Sequence, residues 1–118
     1  MKKVLILLFL LLLVNPVKAI TYKELKTTEQ PVVLYLYLPY CSACKSYSPL
    51  FEQLRKAYVG SNLKFVKENI SKNPELGYIL SVDAVPAIYV IKNTTAYKID
   101  YDCTWDVVCI SEILDSYK

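Results

Sequence analysis

The stretch VVLYLYLPYCSACKSYSPL, Val32–Leu50, contains the point at which a strand pattern gives way to a helix pattern. It begins with an uninterrupted apolar run, Val32–Leu38, which predicts a central β-strand buried on both faces. From Cys41 onwards, apolar side chains recur at helical spacing as far as about Val59. The motif CSAC, which ends at Cys44, therefore lies where a buried strand ends and a helix begins.

The remaining segments predict an α/β fold built on one mixed sheet. In order, the predicted elements are a short helix Ile20–Lys26, a strand Val32–Leu38, a helix from Cys41 to about Val59, a strand Leu63–Ile70, a helix Glu75–Leu80, a strand Ala87–Lys92, a strand Ala96–Tyr101, and a last helix from Trp105 to about Ser116 with Thr104 as its N-cap. The β-α-β half should be parallel with a right-handed crossover, whereas a turn at Asn93-Thr94-Thr95 pairs the last two strands as a hairpin. After the leading helix, the order β-α-β-α-β-β-α gives a mixed four-stranded sheet flanked by helices on both faces.

The CSAC motif has the chemistry of a redox pair. At a helix N-terminus the unpaired amides and the helix dipole stabilise an anion, so the thiolate of Cys41 is favoured. The two intervening residues let the first helical turn bring both sulfurs within bonding range, which makes Cys41 the attacking thiol and Cys44 the resolving thiol. Lys45 adds a positive charge nearby and is predicted to tune the acidity of the site. Three other interpretations stay open: a structural disulfide, half of a metal site, and two inert buried thiols.

Composition excludes several other classes of site. The 118-residue chain contains no His, which removes Ser-His and Cys-His nucleophilic pairs, His-ligated zinc and imidazole acid–base catalysis. Its two glycines, Gly60 and Gly77, are too few for a Gly-rich phosphate loop. We therefore predict no metal and no cofactor.

Residues 1–19, MKKVLILLFLLLLVNPVKA, have the layout of a secretory signal peptide. A basic start precedes an apolar run, Val4–Val14, and the segment ends in small-residue character at Ala19. Because this run is shorter than the roughly 20 residues that a bilayer span needs, we predict cleavage after Ala19 and a mature domain of residues 20–118. An uncleaved membrane anchor and a buried N-terminal helix are the alternatives.

The positive net charge of the chain belongs to this N-terminal segment. Of its 14 Lys+Arg residues, Lys2, Lys3 and Lys18 lie in residues 1–19, and the 11 that remain are balanced by 11 Asp+Glu. A neutral mature domain gives no support to nucleic-acid binding.

The four cysteines all lie in the mature domain, and an exported protein meets an oxidising compartment. Their spacing favours local pairing, of Cys41 with Cys44 and of Cys103 with Cys109. We interpret the second pair as a structural disulfide that ties the last helix to the strand before it. A second redox relay to the first pair is the alternative.

Three stretches of the chain match a known pattern. They are PYCSACKSYSPLFEQL (39–54), with an aromatic residue, C-x-x-C, Lys and a later Pro, then NISKNPEL (69–76) and VDAVPAIYVIKN (82–93). From about Pro31 to Lys118 the chain thereby resembles the thioredoxin superfamily, especially the single domains of thioredoxins and protein disulfide isomerases. The resemblance implies a thioredoxin-like fold.

The resemblance also implies roles for residues outside the motif. Pro86 would be a cis-proline that faces the redox pair, and substrate would dock on the backbone of Val85 and beside Tyr40. One departure concerns Tyr35, six residues before Cys41, where the family often keeps a buried acid that relays a proton to or from the second Cys. A phenol, with an ordinary pKa of about 10, is a poor base at neutral pH.

These features predict an exported thiol–disulfide oxidoreductase that exchanges disulfides with protein substrates. Its predicted partners are protein thiols and disulfides, together with a separate redox protein that recharges the site. We expect a monomer in the periplasm, in the endoplasmic reticulum lumen or outside the cell, and at a membrane only if the N-terminal segment is uncleaved. The alternative is a non-enzymatic binding or structural module that keeps the fold, with Cys41–Cys44 as a structural disulfide.

Overall fold

The structure, a computed structural model, describes residues 20–118. Its elements are helix α1 (Tyr22–Thr27), strand β1 (Val32–Tyr37), helix α2 (Ser42–Ala57), strand β2 (Lys64–Asn69), helix α3 (Pro74–Ile79), strand β3 (Ala87–Lys92), strand β4 (Thr95–Lys98), helix α4 (Tyr101–Trp105) and helix α5 (Val107–Tyr117). The predicted signal peptide, residues 1–19, lies outside the described residues. Within residues 20–118, no helix is both long enough and apolar enough to cross a membrane.

The four strands form one mixed sheet in the order β2-β1-β3-β4. Strand β1 pairs with β2 in parallel, from Val32 opposite Lys64 to Tyr37 opposite Asn69. Strand β3 runs antiparallel to both β1 and β4. The predicted fold class, a mixed four-stranded sheet flanked by helices, is confirmed.

Strand β1 lies at the centre of the sheet because its side chains are apolar on both faces. Every residue in Val32–Leu36 is fully buried. Val33 and Tyr35 pack with residues of α2 and α5, whereas Val32, Leu34 and Leu36 pack with residues of α1 and α3. Burial of one such side chain contributes roughly 1.5–3 kcal/mol. Two cores therefore hold β1 in place and, with it, the CSAC motif at its end.

The prediction for the last helix is wrong at its start. Instead of one helix from Trp105 capped by Thr104, the chain forms α4 and α5 with Asp106 between them. Thr104 lies inside α4, where its hydroxyl donates to a carbonyl of the preceding turn at 3.0 Å. The Asp106 carboxylate accepts hydrogen bonds from the amides of Val108 and Cys109. A carboxylate at this position caps the helix and also interacts favourably with its dipole.

The hairpin of β3 and β4 is confirmed, but β4 is shorter than the predicted strand Ala96–Tyr101. Asn93 and Thr94 both have positive φ, at 51° and 66°, as a two-residue hairpin turn requires. Tyr101 is the first residue of α4 rather than the end of a strand. Because α4 begins so early, Tyr101 shares a surface depression with Pro86, just before β3.

Candidate active site

The CSAC motif lies after the carboxyl end of β1, at the first turn of α2. Cys41 is the N-cap residue of α2, and its sulfur accepts a hydrogen bond from the backbone amide of Cys44 at 3.1 Å. The backbone amide of Cys41 donates in turn to the carbonyl of Leu38 at 3.3 Å. The amide aimed at the sulfur and the dipole of a 16-residue helix both favour negative charge on that sulfur.

The two thiols of the motif differ in exposure. Cys41 is half-buried and Cys44 is only 2% exposed, and both are free thiols. Burial raises the pKa of Cys44 from its ordinary 9.0 to about 11, and the neighbouring sulfur of Cys41 adds a smaller effect in the same direction. At neutral pH Cys44 is therefore a protonated thiol, and it must lose that proton before it can attack another sulfur.

Tyr35 makes direct contact with the backbone of Cys44. Its side chain is fully buried, and its hydroxyl donates to the Cys44 carbonyl at 2.9 Å and lies 3.1 Å from Oγ of Ser48. The Ser48 hydroxyl donates to the same carbonyl at 2.9 Å. Burial raises the pKa of Tyr35 from 10.0 to about 12. The phenol therefore stays protonated at physiological pH and acts as a hydrogen-bond donor, in agreement with the expectation that it is a poor base.

Two residues of this network, Ser48 and Lys67, were not predicted from the sequence. Lys67 lies opposite Tyr35 in the parallel register, with its ammonium 3.5 Å from Oγ of Ser48 and 5.6 Å from the centroid of the Tyr35 ring. Strand register cannot be derived from the motif, so nothing in the sequence indicated that Lys67 lies near the thiols. The position of Ser48 could have been predicted, because a side chain four residues after Cys44 lies one helical turn away on the same face.

The loop before β3 brings a second backbone segment to the redox pair. The Val85–Pro86 peptide bond is cis, as the resemblance implies. Pro86 is buried, and the carbonyl oxygen of Val85 lies 3.9 Å from the sulfur of Cys41. The predicted docking residues Val85 and Pro86 thus lie next to Cys41, although more than 40 positions separate them from it in the chain.

Two shallow depressions lie at the redox pair, one lined in part by Cys41 and the other by Val85. One of about 250 Å³ is lined by Leu38, Pro39, Tyr40, Cys41 and Ser71. The next, of about 190 Å³, is lined by Leu38, Ile70, Val82, Asp83, Ala84 and Val85. We call these two depressions, which share Leu38, the Cys41 groove. The groove is mainly apolar, and Tyr40 stands at its edge with 95% of its surface exposed.

Lys45, which was predicted to tune the acidity of the site, is exposed on the first turn of α2. Its backbone amide donates to the Cys41 carbonyl at 3.1 Å. Water and salt screen an exposed ammonium group strongly. The tuning role of Lys45 stays a prediction.

Cys103 and Cys109 are joined by a disulfide, with their Cα atoms 5.3 Å apart. The bond ties α5 to α4, and not to a strand as predicted, because the chain has already turned into a helix at Tyr101. Trp105 of α4 packs edge-on against Tyr47 of α2, with 5.1 Å between the ring centroids. Helix α4, which the disulfide joins to α5, thus packs on the helix that carries the redox pair.

The acidic and sulfur-bearing side chains around the thiols do not form a cluster within residues 20–118. Among residues 20–118 there is no group of three or more His, Cys, Asp or Glu side chains placed to hold a metal ion. Asp83, at the edge of the Cys41 groove, forms an exposed ion pair with Lys98 at 2.7 Å. The thiols of Cys41 and Cys44 are the reactive groups that this arrangement presents.

Comparisons with known proteins identify the family of this chain. A protein-family model, Thioredoxin, matches residues 14–112. The chain is 29% identical over 66 residues to chloroplastic thioredoxin M5 of Oryza sativa subsp. japonica, which covers 56% of this chain and 38% of that protein. It is 28% identical over 71 residues to a thioredoxin of Rickettsia bellii, which covers 60% of this chain and 67% of that protein.

The fold itself is shared with a solved thioredoxin structure. Thioredoxin NaTrxh from Nicotiana alata superposes with a TM-score of 0.68 over 82% of each chain, at 16% sequence identity. At that identity the likeness shows the fold alone, whereas the family model spans most of the sequence. The chain belongs to the thioredoxin family.

Proposed function

We propose that this protein is an exported thiol–disulfide oxidoreductase that exchanges disulfides with protein substrates through Cys41 and Cys44. Thioredoxins are thiol–disulfide oxidoreductases, and the chain carries the two thiols that such exchange needs. One observation carries the proposal. The free sulfur of Cys41 is half-exposed at a helix N-terminus and accepts an amide hydrogen bond, while the free thiol of Cys44 is buried one turn inside the helix.

In the reducing direction, the Cys41 thiolate attacks one sulfur of a substrate disulfide. The substrate S–S bond breaks, a mixed disulfide forms, and the released substrate thiolate takes a proton from water. Cys44 then loses its proton and attacks the sulfur of Cys41, which releases the second substrate thiol and leaves a Cys41–Cys44 disulfide. Two electrons pass from the protein to the substrate. The reverse sequence oxidises a substrate dithiol, and a separate redox protein restores the starting state in either case.

In this proposal an extended segment of the substrate occupies the Cys41 groove. The Val85 carbonyl, 3.9 Å from the Cys41 sulfur, offers a backbone acceptor beside the mixed disulfide. The exposed ring of Tyr40 adds apolar contact area that costs little conformational entropy to order. Pro86 is buried next to this backbone and supports it.

Export is proposed from the composition of residues 1–19, and it agrees with a Cys103–Cys109 disulfide of the kind that persists in oxidising compartments. The location would be the periplasm, the endoplasmic reticulum lumen or the outside of the cell. Mass spectrometry of the exported protein should find Ile20 as its first residue. Recovery of the full chain, starting at Met1, from the membrane fraction would show an anchor instead.

Trapping of the mixed disulfide tests the proposed activity. The Cys44→Ser variant keeps the attacking thiol but cannot resolve, so with a disulfide-bonded model peptide it should accumulate a covalent complex that dithiothreitol releases. The matched control, Cys41→Ser, keeps the buried thiol and should trap no peptide. Equal trapping by both variants, or by neither, would contradict the proposal.

A structural module that keeps the thioredoxin fold is the second candidate, and the phenol of Tyr35 at the position of the usual acid favours it. This candidate requires that an oxidised Cys41–Cys44 pair resist dithiothreitol until the domain unfolds. The redox proposal expects instead that the folded protein gains two free thiols while the Cys103–Cys109 disulfide persists. Thiol counting by mass spectrometry after alkylation under native conditions separates the two candidates.

A further inference from the structure

We propose that Tyr35 is a positioning residue for the resolving step, in which its hydroxyl donates a hydrogen bond to the sulfur of Cys44 as that sulfur becomes a thiolate. Two other side chains, those of Ser48 and Lys67, keep the hydroxyl available for this role. The inference rests on the proposed exchange function and adds a residue to it: a donor that stabilises the thiolate in place of an acid that accepts its proton.

Tyr35 is held rigidly against Cys44. Its ring contacts those of Tyr47 and Phe51, with 5.2 Å and 4.9 Å between the centroids, and no part of its side chain is exposed. Its hydroxyl lies 2.9 Å from the carbonyl oxygen of Cys44. From this position the hydroxyl lowers the pKa of the Cys44 thiol, against the larger and opposite effect of burial.

The proton of the Tyr35 hydroxyl is available because another donor already serves the Cys44 carbonyl. The Lys67 ammonium, 3.5 Å from the Ser48 oxygen, can only donate. Ser48 therefore directs its own proton to the Cys44 carbonyl, at 2.9 Å. The hydroxyl proton of Tyr35 can then turn from that carbonyl to the sulfur, while the ring stays in place, without leaving a buried oxygen unpaired.

The charges around this pair favour a hydrogen-bonded thiolate. The other titratable groups beside Cys44 or Tyr35 are Tyr37 on β1, Cys41 at the N-cap of α2, Tyr47 on α2, and Lys67 on β2. Among these described groups Lys67 is the cation, and its charge favours an anion at the site. Tyr35 and Tyr47 stay protonated at neutral pH because burial raises the pKa of both phenols.

In the resolving step Cys44 gives its proton to water, and its thiolate attacks the sulfur of Cys41. The bond between Cys41 and the substrate sulfur breaks, the Cys41–Cys44 bond forms, and the departing substrate thiolate takes a proton from water. Tyr35 keeps its own proton throughout. Its contribution is the hydrogen bond to the attacking thiolate, which a buried donor already held beside Cys44 supplies when its hydroxyl proton turns to the sulfur.

An aromatic disulfide probe separates the two steps, because it releases one coloured thiolate when Cys41 attacks and a second when Cys44 resolves. Tyr35→Phe should leave the first release unchanged. It should slow the second about ten-fold at neutral pH and raise the midpoint of its pH profile by about one unit, as expected for one hydrogen bond to a charged group. Ser48→Ala should shift the second release in the same direction, because Tyr35 must then serve the carbonyl alone.

Tyr37→Phe is the matched control, since it removes the same hydroxyl two residues along the same strand, and it should leave both releases unchanged. If Tyr35→Phe unfolds at the same temperature as Tyr37→Phe and its second release keeps the wild-type midpoint, the proposal is overturned. If Tyr35→Phe proves unstable, a wild-type midpoint in Ser48→Ala overturns it. A wild-type protein that shows the first release without the second would instead refute the exchange function, and this inference with it.

Discussion

The protein has two helix starts that lie beside cysteine pairs, and the two are built differently. At α2 the capping group is a sulfur, because Cys41 accepts the backbone amide of Cys44. At α5 it is a carboxylate, because Asp106 accepts the amides of Val108 and Cys109. At the start of α2 a free thiol therefore lies at the positive end of the helix dipole. At the start of α5 a carboxylate occupies that position, and the nearby cysteines form a disulfide.

This difference teaches that position separates a reactive cysteine pair from a structural one. Cys41 opens onto a groove and lies next to the carbonyl of Val85. Cys103 is 8% exposed and belongs to the core between the sheet and α5. A sulfur that is exposed, free and hydrogen-bonded to an amide can carry negative charge and attack, while one that is buried and held in a disulfide cannot attack until that bond is reduced.

The largest effect should come from Cys41→Ser. Removal of the attacking sulfur should lower disulfide exchange by a thousand-fold or more, on the order seen when a covalent nucleophile is lost. The measurement is the rate of reduction of a disulfide-bonded model peptide. The double variant Cys103→Ser, Cys109→Ser is the control and should keep exchange at the wild-type rate. A large loss in the control would break the comparison, because it would give the second pair a redox role.

The next effect concerns stability. Removal of the Cys103–Cys109 crosslink, which joins residues six positions apart, should lower the free energy of unfolding by about 2 kcal/mol. Urea unfolding of the double serine variant against the wild-type protein measures this loss. The double variant Cys41→Ser, Cys44→Ser, measured with the first pair reduced, removes no crosslink. It should change the unfolding midpoint far less than the variant that lacks Cys103 and Cys109. Equal losses in the two double variants would contradict the assignment of one structural and one reactive pair.

A third effect is pH-dependent and belongs to the first pair alone. Burial raises the pKa of Cys44 from 9.0 to about 11 in the folded reduced protein. The unfolded chain therefore releases this proton near pH 9, and the folded protein holds it to about pH 11. The associated stability is complete below pH 9 and falls as the pH rises towards 11, because the unfolded state then binds fewer protons.

Urea unfolding of the reduced and oxidised proteins at increasing alkaline pH measures this effect. The oxidised Cys44 has no proton to lose, so the stability of the reduced protein should fall relative to that of the oxidised protein. Reduced Cys44→Ser provides the control and should lack the additional fall. A constant difference between the two redox states over this range would show that Cys44 is not protected by burial.

Much of the fold could be predicted because hydrophobic periodicity reports burial directly. The apolar run Val32–Leu38 indicated a central strand, and both faces of that strand are buried. The start of the last helix could not be placed in the same way. Thr104 and Asp106 are both capping residues by type, and local preference does not choose between them. The choice depends on how Trp105 packs against Tyr47 and on which side chain reaches the free amides.

The cysteine motif of the site could be predicted from the sequence, but the side chains that pack around it could not. Cys41 and Cys44 follow from their place between a strand and a helix, and Pro86 followed from the family resemblance. Lys67 reaches Ser48 because β1 and β2 pair in one register, and a shift of one residue would turn its side chain to the other face. A single sequence carries no direct signal for that register.

The smallest expected effect tests the carboxylate cap of α5. Asp106→Ala removes the acceptor for the amides of Val108 and Cys109 and should lower the free energy of unfolding by about 1 kcal/mol. Asp106→Asn keeps a capping oxygen without the charge and should lose less, which separates the hydrogen bonds from the interaction with the helix dipole. Both variants should keep wild-type exchange, because the Cys41 sulfur caps a different helix. An unchanged urea midpoint in Asp106→Ala would mean that this cap does not stabilise α5, and the contrast between the two helix starts would then rest on the sulfur of Cys41 alone.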